Sequence, residues 1–209
     1  MICRICSAIG LDQVHPEGKP DYFRCRVCGS DSAESHEYRY TPEFVSAVKD
    51  GHDDAYMILD QRCNMEMISR HVERGSSFLD VGALGGFGME AASLAGFTSY
   101  GFDIVEYAGP RTDISVADRF SHSLWKIKFD VIQCREVLEH VDNWQGMMAE
   151  INLSLVNGGV CVVQTPQTMS YRHPMAYQHG HLQIFAHEAL KQYFPSFGFK
   201  VIDYMSWEA

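Results

Sequence analysis

Four cysteines near the start of the chain have metal-ligand spacing. Cys3-x-x-Cys6 and Cys25-x-x-Cys28 are separated by 18 residues, and Gly29 follows the second pair. Each pair sets two thiolates in one tight turn, and two such turns complete the tetrahedron of a structural four-cysteine zinc site. His15 and His36 are alternative ligands, but four cysteines already satisfy zinc. A redox role is disfavoured, because nothing around either pair reads as the strand-to-helix setting it needs. The segment between the pairs, with Pro16, Gly18 and Pro20 ahead of Asp21-Tyr22-Phe23-Arg24, reads as a loop and a short strand. Too few apolar residues lie here for an independent core, so the metal supplies folding energy.

A second set mixes carboxylates with imidazoles. Glu136, Glu139 and His140 are spaced i, i+3, i+4, which on a helical turn puts them on one face. Tyr171-Arg172-His173 and Gln178-His179-Gly180-His181 form a histidine-rich stretch further on. Such a set is able to hold Mg²⁺, Mn²⁺ or Zn²⁺. A histidine near its ordinary pKa is equally able to act as a general base toward a hydroxyl. The plainer reading is structural: Glu139 and His140 orient the segment, and His179 or His181 belongs to a lid.

The third set is a glycine turn. Phe78-Leu79-Asp80-Val81 is the end of a buried strand, Gly82-Ala83-Leu84-Gly85-Gly86 is the turn, and a helical pattern runs through Met89, Ala92 and Leu94. Glycines there let backbone N–H groups approach a ligand without a Cβ in the way. Asp80 lies at the carboxyl end of the strand, where open α/β sheets bind ligands. Asp103 ends a second expected strand, Ser99–Ile104, about 20 residues after the turn, the distance at which a nucleotide-binding fold places an acid for ribose hydroxyls. Asp103 as a mere helix cap is the alternative.

The remaining elements must position these groups. Ser77–Val81 is the first expected strand, Thr112–Val116 a short third, Lys128–Cys134 a fourth and Val160–Thr165 a fifth, with Phe199–Trp207 last. Helices are expected at Pro42–Lys49, Tyr56–Arg74, Trp144–Leu155 and Ala186–Phe197. Met57, Ile58, Met65, Met67, Ile68 and Val72 give the second of these an apolar stripe that reads as core. Cys134 and Cys161 sit in apolar runs and read as core, while Cys63 lies on the same helix as the Met and Ile stripe. Asp113 and Asp118 are further acids near the expected ligand edge, each equally readable as solvated, and Tyr38, Tyr40 and Tyr56 are aromatic residues able to line a substrate lid. The expected divisions are 1–40, a metal-bound segment; 41–75, a linker with helices; and 76–209, an α/β domain. Strands alternating with helices imply a mostly parallel sheet with helices on both faces.

Composition bounds the function. The chain has 209 residues, 46% apolar and 12% aromatic, which suits a globular core. No apolar run reaches the roughly 18–20 residues that span a bilayer, and the first residues form no signal-peptide hydrophobic region. Seven cysteines without an export signal point to a reducing, cytoplasmic setting. A net charge of −10 and the lack of a Lys/Arg run disfavour nucleic acid as partner.

Taken together, the motifs resemble those of the class I S-adenosylmethionine-dependent methyltransferases, a Rossmann-like family. The matching residues are Leu79-Asp80-Val81-Gly82 with Gly86, Gly101-Phe102-Asp103, Phe129-Asp130-Val131-Ile132 with Glu136-Val137-Leu138-Glu139-His140-Val141, and Leu155-Val156-Asn157-Gly158-Gly159. They span about Tyr56 to Tyr204. The resemblance implies a seven-stranded sheet, with Asp80, Gly82 and Gly86 around the methionine part of the cofactor and Asp103 on its ribose. It implies that the segment after the fourth strand faces the reacting methyl group. On the acceptor side the expected catalytic residue is His140, with Glu136 and His181 behind it. Two features depart from the family. The second glycine of its G-x-G-x-G falls on Leu84, and the chain ends after its sixth expected strand. The Glu-x-x-Glu-His pattern further resembles two metal-dependent O-methyltransferase groups, of the ubiquinone pathway and of small-RNA 3′ ends. That resemblance implies Glu136, Glu139, His140 and His181 of this chain as ligands of a divalent ion that binds substrate hydroxyls. The N-terminal cysteines resemble a zinc ribbon, as found before methyltransferase domains acting on sugars or secondary metabolites, and in some ribosomal RNA methyltransferases. The expected function is methyl transfer to a small-molecule or glycan-precursor acceptor, with O-methylation favoured. The alternatives are an RNA methyltransferase, of rRNA or 2′-O type, and a non-catalytic interaction protein on a degenerate methyltransferase fold.

Overall fold

The computed structural model describes residues 1–14, 21–33, 54–107, 109–168 and 180–205. The expected helix at Pro42–Lys49, Tyr38 and Tyr40, and residues His15, His36, His173 and His179 lie outside these. The chain divides into two compact units. One comprises Met1–Arg39, Leu138–Gln145 and Thr165–Ala209; the other comprises Tyr40–Val137 and Gly146–Gln164.

The second unit is built on a parallel sheet. Among the described residues its strands are β4 (Ser77–Val81), β5 (Thr98–Asp103), β6 (Ile114–Val116), β7 (Phe129–Arg135) and β8 (Leu155–Gln164), in the order β6-β5-β4-β7-β8. The central β4 buries Phe78, Leu79 and Val81, so both of its faces are covered, as continuous apolar strands of parallel sheets require. Strand order reverses between β4 and β7, and ligands of open α/β sheets bind beyond the carboxyl ends of the strands at such a reversal. This is a Rossmann-like core with five strands among the described residues, two fewer than the seven the resemblance implies.

The expected helix Tyr56–Arg74 is two short helices, α1 (Asp54–Asp60) and α2 (Arg62–Ile68), followed by turns. The break falls at Gln61, whose N–H bonds back three residues to Ile58 O (3.2 Å) while its side chain turns into the interior. Met65 and Ile68 of α2 pack with Phe78, Ala91, Ala92, Phe97, Val131 and Val162. Helix α3 (Phe87–Ala95) follows the glycine turn, and its Leu94 is exposed. Helix α4 (Trp144–Ser154) buries Met148 and Ile151. Strand β8 starts at Leu155 rather than Val160, and its pairing with β7 shifts register between Phe129 and Val131.

The first unit contains a four-stranded antiparallel sheet: β1 (Leu11–Val14), β2 (Tyr22–Cys25), β3 (Asp31–Ala33) and β9 (Gln183–Ile184), in the order β1-β2-β3-β9. The two cysteine turns sit around this sheet, and its fourth strand comes from far along the sequence. Tyr22, Ala33 and Ile184 are its small buried cluster. Arg24 grips the fully buried Asp31 with two bonds of 2.8 Å. Trp144 is buried edge-on against Phe185 and Phe197, and its indole N–H donates to Arg4 O at 3.1 Å. Helix α5 (His187–Tyr193) is extended by a 3₁₀ turn, Phe194–Phe197.

The expected strand Phe199–Trp207 is not formed over Phe199–Met205. Val201, Ile202, Tyr204 and Met205 are exposed, and Tyr204 instead stacks on His187 and under the Lys191 ammonium. An alternating apolar pattern makes a strand only where an edge is there to pair with it.

Truncating Phe78, at the centre of the parallel sheet, leaves a cavity that the surrounding strands cannot fill. Phe78→Ala is expected to destabilise the protein by about 3–5 kcal/mol, read as a lowered urea midpoint with an unchanged slope.

Candidate active site

The glycine turn is held by the acid at the end of β5. Asp103 Oδ2 accepts the Leu84 N–H at 2.7 Å, and Oδ1 accepts the N–H groups of Ile104 (2.7 Å) and Val105 (3.2 Å). Asp103 is therefore more than a cap of its own loop, because it reaches across to the turn after β4. Leu84 has φ +47°, the left-handed region that a glycine enters freely. The backbone at Leu84 thus takes the form a glycine would give, with strain of roughly 1–2 kcal/mol that the Asp103 bond helps to hold.

Asp80 is buried beneath the same turn. Its Oδ1 accepts from Gln133 Nε2 at 3.1 Å, and its other oxygen lies against the start of α3, where a Cβ at Gly88 would overlap it. Gly88 is therefore a requirement of the Asp80 position. Burial pushes the Asp80 carboxyl up to about 7, against the opposing pull of Gln133 and the Arg135 charge. Burial also raises the Asp103 carboxyl, offset by its three backbone donors. Gln133 Nε2 bonds Gln61 Oε1 as well (3.1 Å), and Asn64 Nδ2 reaches both Gln133 Oε1 (3.1 Å) and Gln164 Oε1 (3.2 Å). Sequence reasoning does not single out these buried amides. The available signal is Gln61 and Asn64, three apart, interrupting an otherwise apolar helix face.

After β7 the chain turns sharply. Glu136 has φ +51°, its N–H donates to Gln164 O at 2.8 Å, and its side chain is exposed. This corrects the expectation of one helical face for Glu136, Glu139 and His140, since a left-handed residue cannot sit in a right-handed helix. Asp113 is engaged by Arg111, which holds its carboxyl below the usual range.

In the other unit, a 3₁₀ turn over Leu138–His140 carries Glu139 and His140. Glu139 is fully buried, and Thr165 Oγ1 donates to its Oε2 at 3.0 Å. His140 Nδ1 lies 2.9 Å from Gly180 O, which fixes the proton on Nδ1 and leaves Nε2 as the acceptor. Nε2 is 4.0 Å from Glu139 Oε1, and the buried His181 ring packs edge-on at 4.7 Å. One ligand atom from each of Glu139, His140 and His181 lies within 4.8 Å of the others. Glu136 is not a member of this group.

The four cysteines form a second cluster in the same unit. Cys3 and Cys28 Sγ are 3.7 Å apart, Cys6 and Cys25 Sγ 3.5 Å, and all four lie within 4.8 Å of one another. Four sulfurs bound to one zinc at about 2.3 Å stand about 3.8 Å apart, whereas a disulfide needs about 2.05 Å. The Ile5 and Val27 N–H groups point at the Cys3 and Cys25 sulfurs, at 3.4 Å each. The donor set and its spacing fit zinc.

A family model described as a methyltransferase domain matches residues 60–204. Among solved structures, the chain is similar to a Burkholderia thailandensis 1,6-didemethyltoxoflavin-N1-methyltransferase with bound 1,6-didemethyltoxoflavin and S-adenosylhomocysteine. The identity is 16%, the TM-score 0.60, and the match covers 92% of this chain and 90% of that one. It is also similar to an O-methyltransferase family protein from the same organism, at 12% identity and TM-score 0.53, covering 73% and 55%. Comparison with the curated proteins finds no match. No helix among the described residues is long and apolar enough to cross a membrane.

The Asp80 environment makes a pH prediction. The folded chain holds the Asp80 proton up to about pH 7, whereas the unfolded chain releases it near pH 4. The folded state binds more protons between these values, so stability falls as pH rises through that window. Asp80→Asn has no carboxyl there to titrate. Between about pH 5 and about pH 8 the wild type is expected to lose on the order of 2 kcal/mol relative to this variant in urea unfolding. An unchanged difference would contradict the assignment.

Proposed function

The chain belongs to the methyltransferase domain family, and on that premise we propose that it methylates a hydroxyl of a small-molecule or sugar-type acceptor, with His140 as the general base. It is an S-adenosylmethionine-dependent enzyme by family. The observation that carries the base assignment is the Nδ1 bond of His140 to the Gly180 carbonyl.

The residues present suit such a cofactor. Asp80 and Asp103 are buried acids at the carboxyl ends of adjacent strands, and both gain from a nearby positive charge. When bound, S-adenosylmethionine supplies an electrophilic methyl group on a sulfonium, which departs as a neutral thioether. Asp103 holds the turn through Leu84 N–H and retains a lone pair on Oδ2 for a ribose hydroxyl. Gly82 and Gly86 carry no side chain at the two ends of the turn, and Asp80 packs on the start of α3. On the acceptor side, His140 Nε2 takes the proton that the hydroxyl gives up as its oxygen gains the methyl. The resulting imidazolium is stabilised by the Glu139 carboxylate, which Thr165 orients. His181 packs against the ring and limits its rotation. A small acceptor is in keeping with the similar toxoflavin-precursor enzyme, whose acceptor is such a molecule.

A second reading assigns a divalent ion to Glu139, His140 and His181, supported by the mutual approach of their ligand atoms. A protein carbonyl on the other nitrogen is also how metal-bound histidines are oriented.

Calorimetry on zinc-loaded protein is expected to show S-adenosylmethionine binding that survives His140→Gln. In a screen of hydroxylated small molecules and nucleotide sugars, read by release of S-adenosylhomocysteine, the variant is expected to lose about 10²–10⁴-fold in kcat. Turnover that appears only with added Mn²⁺ or Mg²⁺ would select the metal reading. No cofactor binding by folded protein would sink both.

A further inference from the structure

The sheet that carries the cysteine turns is also what holds the histidine pair. Tyr22, fully buried on β2 three residues before Cys25, donates its hydroxyl hydrogen to the backbone oxygen of His181 at 3.0 Å. Ala33 N–H donates to Leu182 O at 2.9 Å, and Ser32 pairs with Gln183 in the β3–β9 ladder. Ser30, two residues past Cys28, accepts the Ala186 N–H at 2.9 Å. The 180–186 segment is thus bonded at four places to the strands and turn between Tyr22 and Ala33. Its other side reaches the acid–histidine turn. Leu182 N–H donates to Glu139 O at 2.7 Å, Gln183 Nε2 donates to Val141 O at 2.8 Å, and Gly180 O holds His140 Nδ1.

We propose that metal occupancy of the Cys3–Cys6–Cys25–Cys28 centre controls the geometry of the His140–His181 pair through this sheet, with Tyr22 as the positioning residue. The proposal deepens the function above and rests on it only for its effect on turnover. The apolar cluster of the sheet is Tyr22, Ala33 and Ile184, too small to hold four strands without the metal. When the metal leaves, four clustered thiols no longer fix the two turns, and the strands between them lose their ends. Tyr22 and Ala33 then release His181 and Leu182, and Gly180 ceases to hold the proton on His140 Nδ1. A metal centre remote from the chemistry becomes a control on it.

Hydrogen–deuterium exchange on the full chain tests this without reference to any acceptor. Zinc-loaded protein is compared with the same protein stripped by a chelator. Peptides over 180–185 and 138–141 are expected to exchange at least about tenfold faster after stripping, while peptides over β4 and β7 stay protected. In zinc-loaded protein, Tyr22→Phe is expected to speed exchange at 180–185 by about three- to tenfold, the worth of one buried hydrogen bond. It is also expected to lower kcat at unchanged KM for S-adenosylmethionine, with one zinc per chain retained. Ser30→Ala, which frees the Ala186 amide instead, is expected to act in the same direction and covers the case in which Tyr22→Phe fails to fold. The proposal is overturned if the 1–33 peptides open on stripping while 180–185 and 138–141 hold. Opening of β4 and β7 along with them also overturns it, because the coupling would then be general unfolding. Exchange that follows the proposal while His140→Gln keeps full activity would leave the coupling standing and remove the base assignment.

Discussion

The Asp103 carboxylate, shared among three backbone amides, is the constraint on which the glycine turn and the helix after it depend. It ties the end of β5 to the turn after β4 through the Leu84 N–H. Leu84 sits in a left-handed conformation that costs a side chain roughly 1–2 kcal/mol, and a charge-assisted bond from a buried acid is of comparable size. With that bond the turn keeps its shape despite the leucine. The turn in turn fixes Gly86 as the entry to α3 and Gly88 against Asp80. One acid therefore holds the loop that leads into the helix packed on the second acid.

Below that turn lies a layer of amides rather than a purely apolar core. Gln133, Gln61, Asn64 and Gln164 connect β7, the α1–α2 break and β8 to the Asp80 carboxylate. Such a network is worth having only if its members are satisfied, since a half-made one costs more than an apolar contact. It explains why the expected long helix breaks at Gln61. The side chain of that residue is drawn inward to Gln133, and the backbone tightens to let it in.

Much of this is legible in the sequence, and the parts that are not share a cause. Strand Ser77–Val81, the acid at Asp103 and the cysteine tetrad follow from local pattern: an apolar run, a fixed distance, a ligand spacing. The Glu136–His140 segment is not the one helical face its spacing suggests, because i, i+3, i+4 spacing says nothing of the left-handed turn at Glu136. The strand expected at Phe199–Trp207 rests on alternation alone, while the described part of it stacks Tyr204 on α5. Gln133, Gly88 and Tyr22 cannot be singled out from sequence, because their roles come from partners many residues away. Tyr22 in particular meets His181 only because β9 joins the sheet of the N-terminal strands.

The two candidate metal-binding groups in the first unit are chemically distinct, which lets both operate in one small body. Four thiolates form a soft site with fixed tetrahedral spacing, suited to zinc and closed to substrate. Glu139, His140 and His181 form a harder, three-donor group with coordination to spare, suited to a proton or an exchangeable cation. The first group fits a permanently held ion that adds folding energy to a sheet with little apolar surface. The second sits at the far side of the 180–186 segment, where a carbonyl fixes one imidazole nitrogen and leaves the other as the acceptor. A shared ion would have to satisfy two incompatible donor sets. The separation of soft from hard ligands therefore gives an ion suited to the four sulfurs no reason to enter the acid–histidine group, although the two groups are joined through the backbone of the 180–186 segment.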